Sequence, residues 1–146
     1  MTTRLSRREP SLDRPSVVTI LAISPFEEDH ASLRKIFRHS QWRLYSAHTW
    51  REAFQVLERA DISLVICERE CPEGNWRELF GRIEAKGNPL PFVVCSESPG
   101  LELWAEVVNQ GAFDALAKPF DMIDVLRMVP ATWQYYRHQL RRATTA

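Results

Sequence analysis

The sequence predicts an α/β fold in which a five-stranded parallel sheet is covered by helices on both faces. The 146 residues, 45% of them hydrophobic, are enough for one globular domain. Short apolar runs alternate along the chain with segments of helical periodicity. Because these runs are largely continuous, as in strands buried on both faces, they favour a doubly wound parallel sheet.

The predicted strands are short runs of mainly β-branched and other apolar residues. Their shortness favours strands over buried helices, which need ten or more residues. In chain order the runs are VVTILAI (17–23), RLYSA (43–47), SLVIC (63–67), PFVVC (91–95) and FDALA (113–117).

A helix is predicted after each strand, with apolar residues three or four positions apart. Thr49 and Glu52 form a capping box that opens the second helix, and Gly111 stands where the fourth should end. The last helix should begin near Asp121. The apolar faces of the first four helices are Leu33, Ile36 and Phe37; Ala53, Leu57 and Ala60; Trp76, Leu79, Phe80 and Ile83; and Leu101, Trp104, Ala105 and Val108.

The last helix carries an apolar stripe whose first half, beginning at Met122, is expected to be core. Pro130 predicts a kink or a break into two helices, because proline removes a hydrogen bond and clashes with the preceding turn. Trp133, Tyr136 and Leu140 are expected to project past the sheet as a strip for homodimerisation or partner docking. The chain thus divides into a disordered leader (1–16), a folded domain (17–130) and a helical extension (131–146).

Composition and charge limit the possible partners. Nineteen basic and nineteen acidic side chains cancel, so no overall field favours nucleic acid or an anionic membrane. Basic ends with Arg4, Arg7 and Arg8, and with Arg141 and Arg142, carry no nucleic-acid recognition motif. Without a signal peptide, a membrane-spanning run or a CxxC pair, the sequence predicts a cytoplasmic protein with reduced thiols and no membrane partner.

The functional crevice of an open parallel sheet lies beyond the carboxyl ends of its strands. No G-x-G-x-x-G follows the first strand and no P-loop motif occurs, which excludes the ordinary nucleotide-binding sites. A nucleophile elbow is also absent. The residues that follow the strands are Ser24 and Pro25, Glu68, Ser96, and Lys118 and Pro119.

Three motifs stand at the ends of the third, fourth and fifth strands. They are Glu68 four residues before Pro72, a strand ending in Ser96, and the run Lys118-Pro119-Phe120. In this order and spacing they resemble the response-regulator receiver domain of two-component signalling. The resemblance covers about residues 17–130 and implies a flavodoxin-like (βα)5 fold with strand order 2-1-3-4-5.

The resemblance also implies roles for individual residues. Glu68 takes the position of the phosphate-accepting aspartate, and Ser96 that of the switch hydroxyl, although serine at a strand end also commonly forms a turn. A cis bond to Pro119 would aim Lys118 into the crevice. Ala115 stands where the family usually has an aromatic side chain that relays the switch.

The segment after the first strand departs from the family pattern. Receivers have an acidic pair there that holds a magnesium ion, whereas this chain has Ser24 and Pro25. The residues themselves predict a helix start, with Ser24 as N-cap, Pro25 at the first helical position and Glu27 as capping-box partner. The run of Glu27, Glu28 and Asp29 could in principle supply a carboxylate from one turn further on, but acids in a first turn are explained by the helix dipole.

The position of the phosphate acceptor also departs from the family pattern. The carboxylate of Glu68 stands about 1.5 Å further from the backbone than that of an aspartate, a displacement large enough to spoil in-line attack. We expect Glu68 to form an ion pair with Lys118 instead. With the metal ligands, the acceptor and the aromatic relay all changed, the sequence predicts a degenerate, stand-alone receiver-like module without catalysis, cofactor or metal. It would act without phosphorylation, through contact with a signalling kinase or a downstream effector.

Three alternatives stay open. The first is a phosphorylatable receiver that uses Glu68 or Glu70 with an improvised metal site. The second is a small enzyme that uses Cys67, Cys71 or Cys95, which predicts a thiol with a lowered pKa. The third is a nucleic-acid adaptor that uses the basic ends, which predicts steeply salt-dependent binding.

Overall fold

A computed structural model of the chain describes residues 18–87 and 90–145. The side chains at 136 and 139–145 lie outside this description, as does the predicted leader at 1–16. Over the described residues, no helix combines the length and apolar character of a membrane-spanning segment.

Five parallel strands form one sheet in the order β2-β1-β3-β6-β7, which confirms the predicted order 2-1-3-4-5. A short antiparallel hairpin of two further strands follows β3 and was not predicted. The strands are β1 (Thr19–Ile23), β2 (Arg43–Ala47), β3 (Leu64–Glu68), β4 (Glu70–Cys71), β5 (Gly74–Asn75), β6 (Phe92–Ser96) and β7 (Asp114–Ala117).

Helices cover both faces of the sheet, as predicted. The second, third and fourth helices pack on one face in a core cluster that includes Trp50, Trp76 and Val107. The first and last helices pack on the other face, around Leu33 and Val129. The helices are α1 (Glu27–Phe37), α2 (Trp50–Arg59), α3 (Trp76–Ala85), α4 (Leu101–Gln110) and α5 (Met122–Thr145).

Two predicted helix ends are confirmed. The Thr49 hydroxyl caps α2 by accepting a hydrogen bond from the Glu52 N–H at 3.1 Å. Gly111 ends α4 in the left-handed conformation, at φ +89°, which costs glycine little because it has no Cβ.

The predicted start of α1 is wrong. The helix begins at Glu27, and its N-cap is Phe26 rather than Ser24. Ser24 N–H donates to Ala47 O at 3.1 Å, so its backbone continues the pairing of β1 with β2. Its hydroxyl accepts from the Phe26 N–H at 3.0 Å, in a turn that precedes the helix.

The predicted apolar face of α4 is also wrong. Leu103 and Val107 are fully buried, whereas Leu101 is 87% exposed and Trp104 and Val108 are exposed as well. Two apolar stripes therefore run along this helix, and only the one that contacts the sheet is core.

The last helix also departs from expectation. It runs without a break through Pro130, so of the two outcomes predicted at this proline the break is wrong and the kink stays a prediction. Met122 is exposed rather than core, and Trp133 is half-buried against the core cluster instead of projecting past the sheet. The side chains of Tyr136 and Leu140 lie outside the described residues, so the rest of the predicted strip stays a prediction.

Candidate functional site

The strand ends bring the predicted crevice residues together. Glu68 ends β3, Ser96 ends β6, and Lys118 follows β7. The register of the parallel strands sets Glu68 beside Cys95 and Ser96 beside Ala117. The three side chains line one open cavity of about 420 Å³ together with Phe26, Arg69, Glu70, Glu97 and Ser98.

Lys118 is held between two carboxylates. Its Nζ lies 2.5 Å from Glu68 Oε1 and 2.8 Å from Asp29 Oδ2. The side chain of Lys118 is 8% exposed and those of its two partners are each 10% exposed. The ion pair expected between Glu68 and Lys118 is therefore present, and a second acid that was not expected completes it. We call these three residues the ion triad.

The triad keeps Lys118 charged. Burial disfavours the ammonium form, but the contacts with Asp29 and Glu68 more than offset it and raise the pKa of Lys118 above its ordinary value. The ring of Phe26 adds a cation–π contact, with its centroid 5.0 Å from Nζ.

Asp29 reaches the crevice because α1 begins there. The Ser24 hydroxyl donates to Asp29 Oδ2 at 2.6 Å, and the ring nitrogen Nε2 of the buried His30 lies 2.9 Å from the Ser24 carbonyl oxygen. These bonds tie the first turn of α1 to the end of β1. The helix dipole alone does not explain an acid at position 29, because the Asp29 carboxylate is buried and forms an ion pair with Lys118.

The other predicted site residues have structural partners. The Ser96 hydroxyl accepts a hydrogen bond from the Ser98 N–H at 3.1 Å, so it forms a turn as well as lining the crevice. The bond between Lys118 and Pro119 is cis, as expected. Ala115 lies in β7 and packs against the core cluster beneath α4.

The residues present do not fit a divalent cation. Magnesium needs several oxygen ligands in near-octahedral geometry, usually with carboxylates among them. Here Ser24 and Pro25 are neutral, and the carboxylates of Asp29 and Glu68 are both in contact with the ammonium group of Lys118, which repels a cation. Over the described part of the chain, no group of three or more His, Cys, Asp or Glu side chains is arranged to hold a metal.

The sequence analysis set Asp29 aside in favour of the helix dipole and missed Phe26. A signal for Asp29 was available, because the helix that follows a parallel strand starts at the functional edge of the sheet. Acids in its first turn therefore lie next to the crevice. No comparable signal marks Phe26, whose ring position depends on the turn after β1.

Comparison with known proteins agrees with this geometry. Residues 27–130 match the sequence profile of the response regulator receiver domain. The chain is 25% identical over 124 residues to the two-component response regulator ORR5 of rice, Oryza sativa subsp. japonica, covering 83% of this chain and 92% of that protein. It is also 28% identical over 94 residues to the transcriptional regulatory protein CrdR of Helicobacter pylori, covering 62% of this chain and 43% of that one.

Solved structures share the fold. A signal receiver domain of an HD domain-containing protein from Pseudomonas fluorescens Pf-5 superposes with a TM-score of 0.75 at 22% identity, covering 89% of this chain and 98% of that one. The signal receiver domain of a LuxO repressor-type protein from Vibrio parahaemolyticus gives a TM-score of 0.77 at 17% identity, covering 90% and 99%. At these identities, the likeness concerns the fold alone.

Proposed function

Because the chain belongs to the response regulator receiver domain family, we propose that this member works in two-component signalling by protein contact, without accepting a phosphoryl group. Its partner would be a signalling kinase or a downstream effector, and a second copy of the chain is a further candidate. The ion triad is the observation that carries the proposal.

The triad supports the proposal through charge. A phosphoryl acceptor needs its carboxylate free to attack and needs positive charge available for the transferred group. In this chain the Glu68 carboxylate and the Lys118 ammonium already neutralise each other, with Asp29 as a second partner of the ammonium. Attack by Glu68 would consume the carboxylate charge that Lys118 Nζ contacts, at the expense of a buried ion pair.

The neighbouring positions add to this argument. Ser24 and Pro25 bring no carboxylate for a metal ion that would offset charge during transfer. Ala115 has no ring that could change position in response to a bound phosphoryl group. The changed acceptor, the missing metal ligands and the missing aromatic relay therefore all support a receiver that does not accept a phosphoryl group.

Exposed apolar side chains support action by contact. Leu101, Trp104 and Val108 lie along the outer side of α4, and Met122 and Ile123 are exposed at the start of α5. Exposed aromatic and aliphatic groups of this kind are typical anchors of protein interfaces.

The phosphorylation test uses intact-protein mass spectrometry. We expect the protein, incubated with magnesium and acetyl phosphate, to gain no mass of a phosphoryl group. A phosphorylatable receiver provides the positive control under the same conditions. Stoichiometric labelling at Glu68 or Glu70 would overturn the proposal and favour the phosphorylatable alternative.

A reconstructed variant makes the test sharper. Ser24→Asp, Pro25→Asp and Glu68→Asp together restore two acids after β1 and the shorter acceptor. We expect this variant to accept phosphate from acetyl phosphate in magnesium, whereas Glu68→Asp alone remains unlabelled. Labelling of the single variant to the same extent would show that the acids after β1 are not limiting.

A further inference from the structure

Two cysteines lie together beside the ion triad. Cys67 is in β3, directly before Glu68, and is fully buried in the core cluster under α2 and α3. Cys71 is in β4, is half-buried, and packs against the same cluster. The chain turns back after β3, and this brings the two side chains to one place.

The contacts of the two thiols are shared. Both thiols donate to the carbonyl oxygen of Glu68, with sulfur to oxygen distances of 3.2 Å from Cys67 and 3.8 Å from Cys71. Both sulfurs thus lie around a single backbone oxygen.

The two thiols differ in reactivity. The neighbouring Cys67 thiol lowers the pKa of Cys71 although partial burial opposes it, whereas burial raises the pKa of Cys67 well above the ordinary range. Cys71 is also the more accessible of the two. An oxidant from solvent therefore meets the better nucleophile first and finds a second thiol behind it.

The movement that a bond requires would fall on the hairpin that carries Cys71. A disulfide brings two sulfurs to about 2.05 Å, with Cβ atoms about 3.8 Å apart. Cys71 belongs to a two-stranded hairpin with two residues in each strand, separate from the main sheet. A small shift of this hairpin leaves the hydrogen bonds of β3 with its neighbours in place.

We propose that Cys67 and Cys71 form a reversible disulfide in the presence of a peroxide, which makes this pair a redox-modification site next to Glu68. The Cys71 thiolate attacks one peroxide oxygen and the O–O bond breaks, which leaves a sulfenic acid and a hydroxide ion; the hydroxide takes up the proton that the Cys71 thiol released and becomes water. The Cys67 sulfur then attacks the Cys71 sulfur and displaces a second water. For hydrogen peroxide, two thiols lose two electrons and two protons, and one peroxide becomes two waters.

Disulfide formation would change the surroundings of Glu68, the residue at the acceptor position. In the disulfide, neither sulfur carries a proton, so the Glu68 carbonyl loses both thiol donors. The backbone that carries the Glu68 side chain then changes its surroundings without any change to Lys118. This redox response is independent of whether Glu68 accepts phosphate.

Cys95 is an internal control. It lies in β6, is 2% exposed, and packs in the core cluster on the opposite face of the sheet from Cys67. Burial also raises the pKa of Cys95 well above the ordinary range. The sheet separates Cys95 from the other two thiols, so Cys95 should take no part in the disulfide.

The experiment uses the whole chain and mass spectrometry. The reduced protein is treated with hydrogen peroxide, its remaining thiols are alkylated in denaturant, and it is digested with trypsin. Because Arg69 lies between the two cysteines, trypsin separates them into peptides 60–69 and 70–77. We expect these two peptides to be linked by a disulfide that dithiothreitol reverses, with Cys95 alkylated.

Three single substitutions test the role of each cysteine separately. Cys71→Ser should abolish the linked peptides, and Cys67→Ala should stop Cys71 at the sulfenic or sulfinic acid. Cys95→Ala should leave the linkage unchanged. Absence of the linked peptides from the oxidised wild-type protein, or a linkage that requires Cys95, would overturn the proposal. Because the wild-type result needs no substitution, it holds even if a variant fails to fold.

Discussion

Replacing Lys118 by methionine tests the ion triad. The substitution keeps the length of the side chain but removes the cation, so two carboxylates remain in the crevice without their partner. All three side chains are at most 10% exposed, and breaking a buried ion pair on one side costs about 3–5 kcal/mol. A domain of this size is stable by about 5–15 kcal/mol, so the variant should fold but with much lower stability.

Urea unfolding followed by tryptophan fluorescence measures the effect, since the chain has five tryptophans. Lys35→Met is the matched control, because Lys35 is exposed in the last turn of α1 and its loss should cost less than about 1 kcal/mol. Equal unfolding free energies for the two variants would refute the reasoning.

One further variant separates the effect of charge from the effect of packing. Neutralising all three members together, with Asp29→Asn, Glu68→Gln and Lys118→Met, should recover most of the stability that Lys118→Met alone loses, because no unpaired charge remains. A triple variant that is no more stable than Lys118→Met would point to lost packing rather than to unpaired charge.

Three other substitutions give separate predictions. Thr49→Ala removes the hydroxyl that caps α2 and should lower the unfolding free energy by about 1 kcal/mol; an unchanged urea midpoint would contradict the cap. Gly111→Ala adds a Cβ that meets no atom but sits at φ +89°, so strain alone should cost about 1–2 kcal/mol. Burial lowers the pKa of His30, so stability present above about pH 6.5 should be lost as the pH falls below it, when the unfolded chain binds the proton first. His30→Gln should reduce this slope in unfolding measurements between neutral and acid pH, and equal slopes would exclude His30 as the cause.

The fold could be predicted well because its signals are local. Each of the five strands of the main sheet overlaps its predicted run, and the caps at Thr49 and Gly111 lie where the sequence indicates. The hairpin of β4 and β5 was missed because strands of two residues carry no period that can be counted. The buried face of α4 was missed because its two apolar stripes have nearly the same spacing, and only contact with the sheet selects Leu103 and Val107.

The candidate site was predicted only in part. The pairing of Glu68 with Lys118 follows from two strand ends that flank one crevice. The helix dipole is a sufficient local explanation for an acid in a first turn, so the sequence does not single out Asp29. The local pattern likewise favours Ser24 as a helix cap, whereas in the structure its backbone N–H donates to Ala47 O at the end of β2 and its hydroxyl donates to Asp29.

The sequence by itself determined the α/β order of the elements, the lysine at the crevice and the neutral residues at the end of β1. These features depend on residue types and short spacings, which any chain segment displays directly. Only the tertiary structure decided that Asp29 contacts Lys118, 89 residues away, and that the Cys67 and Cys71 thiols share one carbonyl oxygen. Such contacts depend on distances of a few ångströms between separately folded segments, and the packing of helices against the sheet sets those distances.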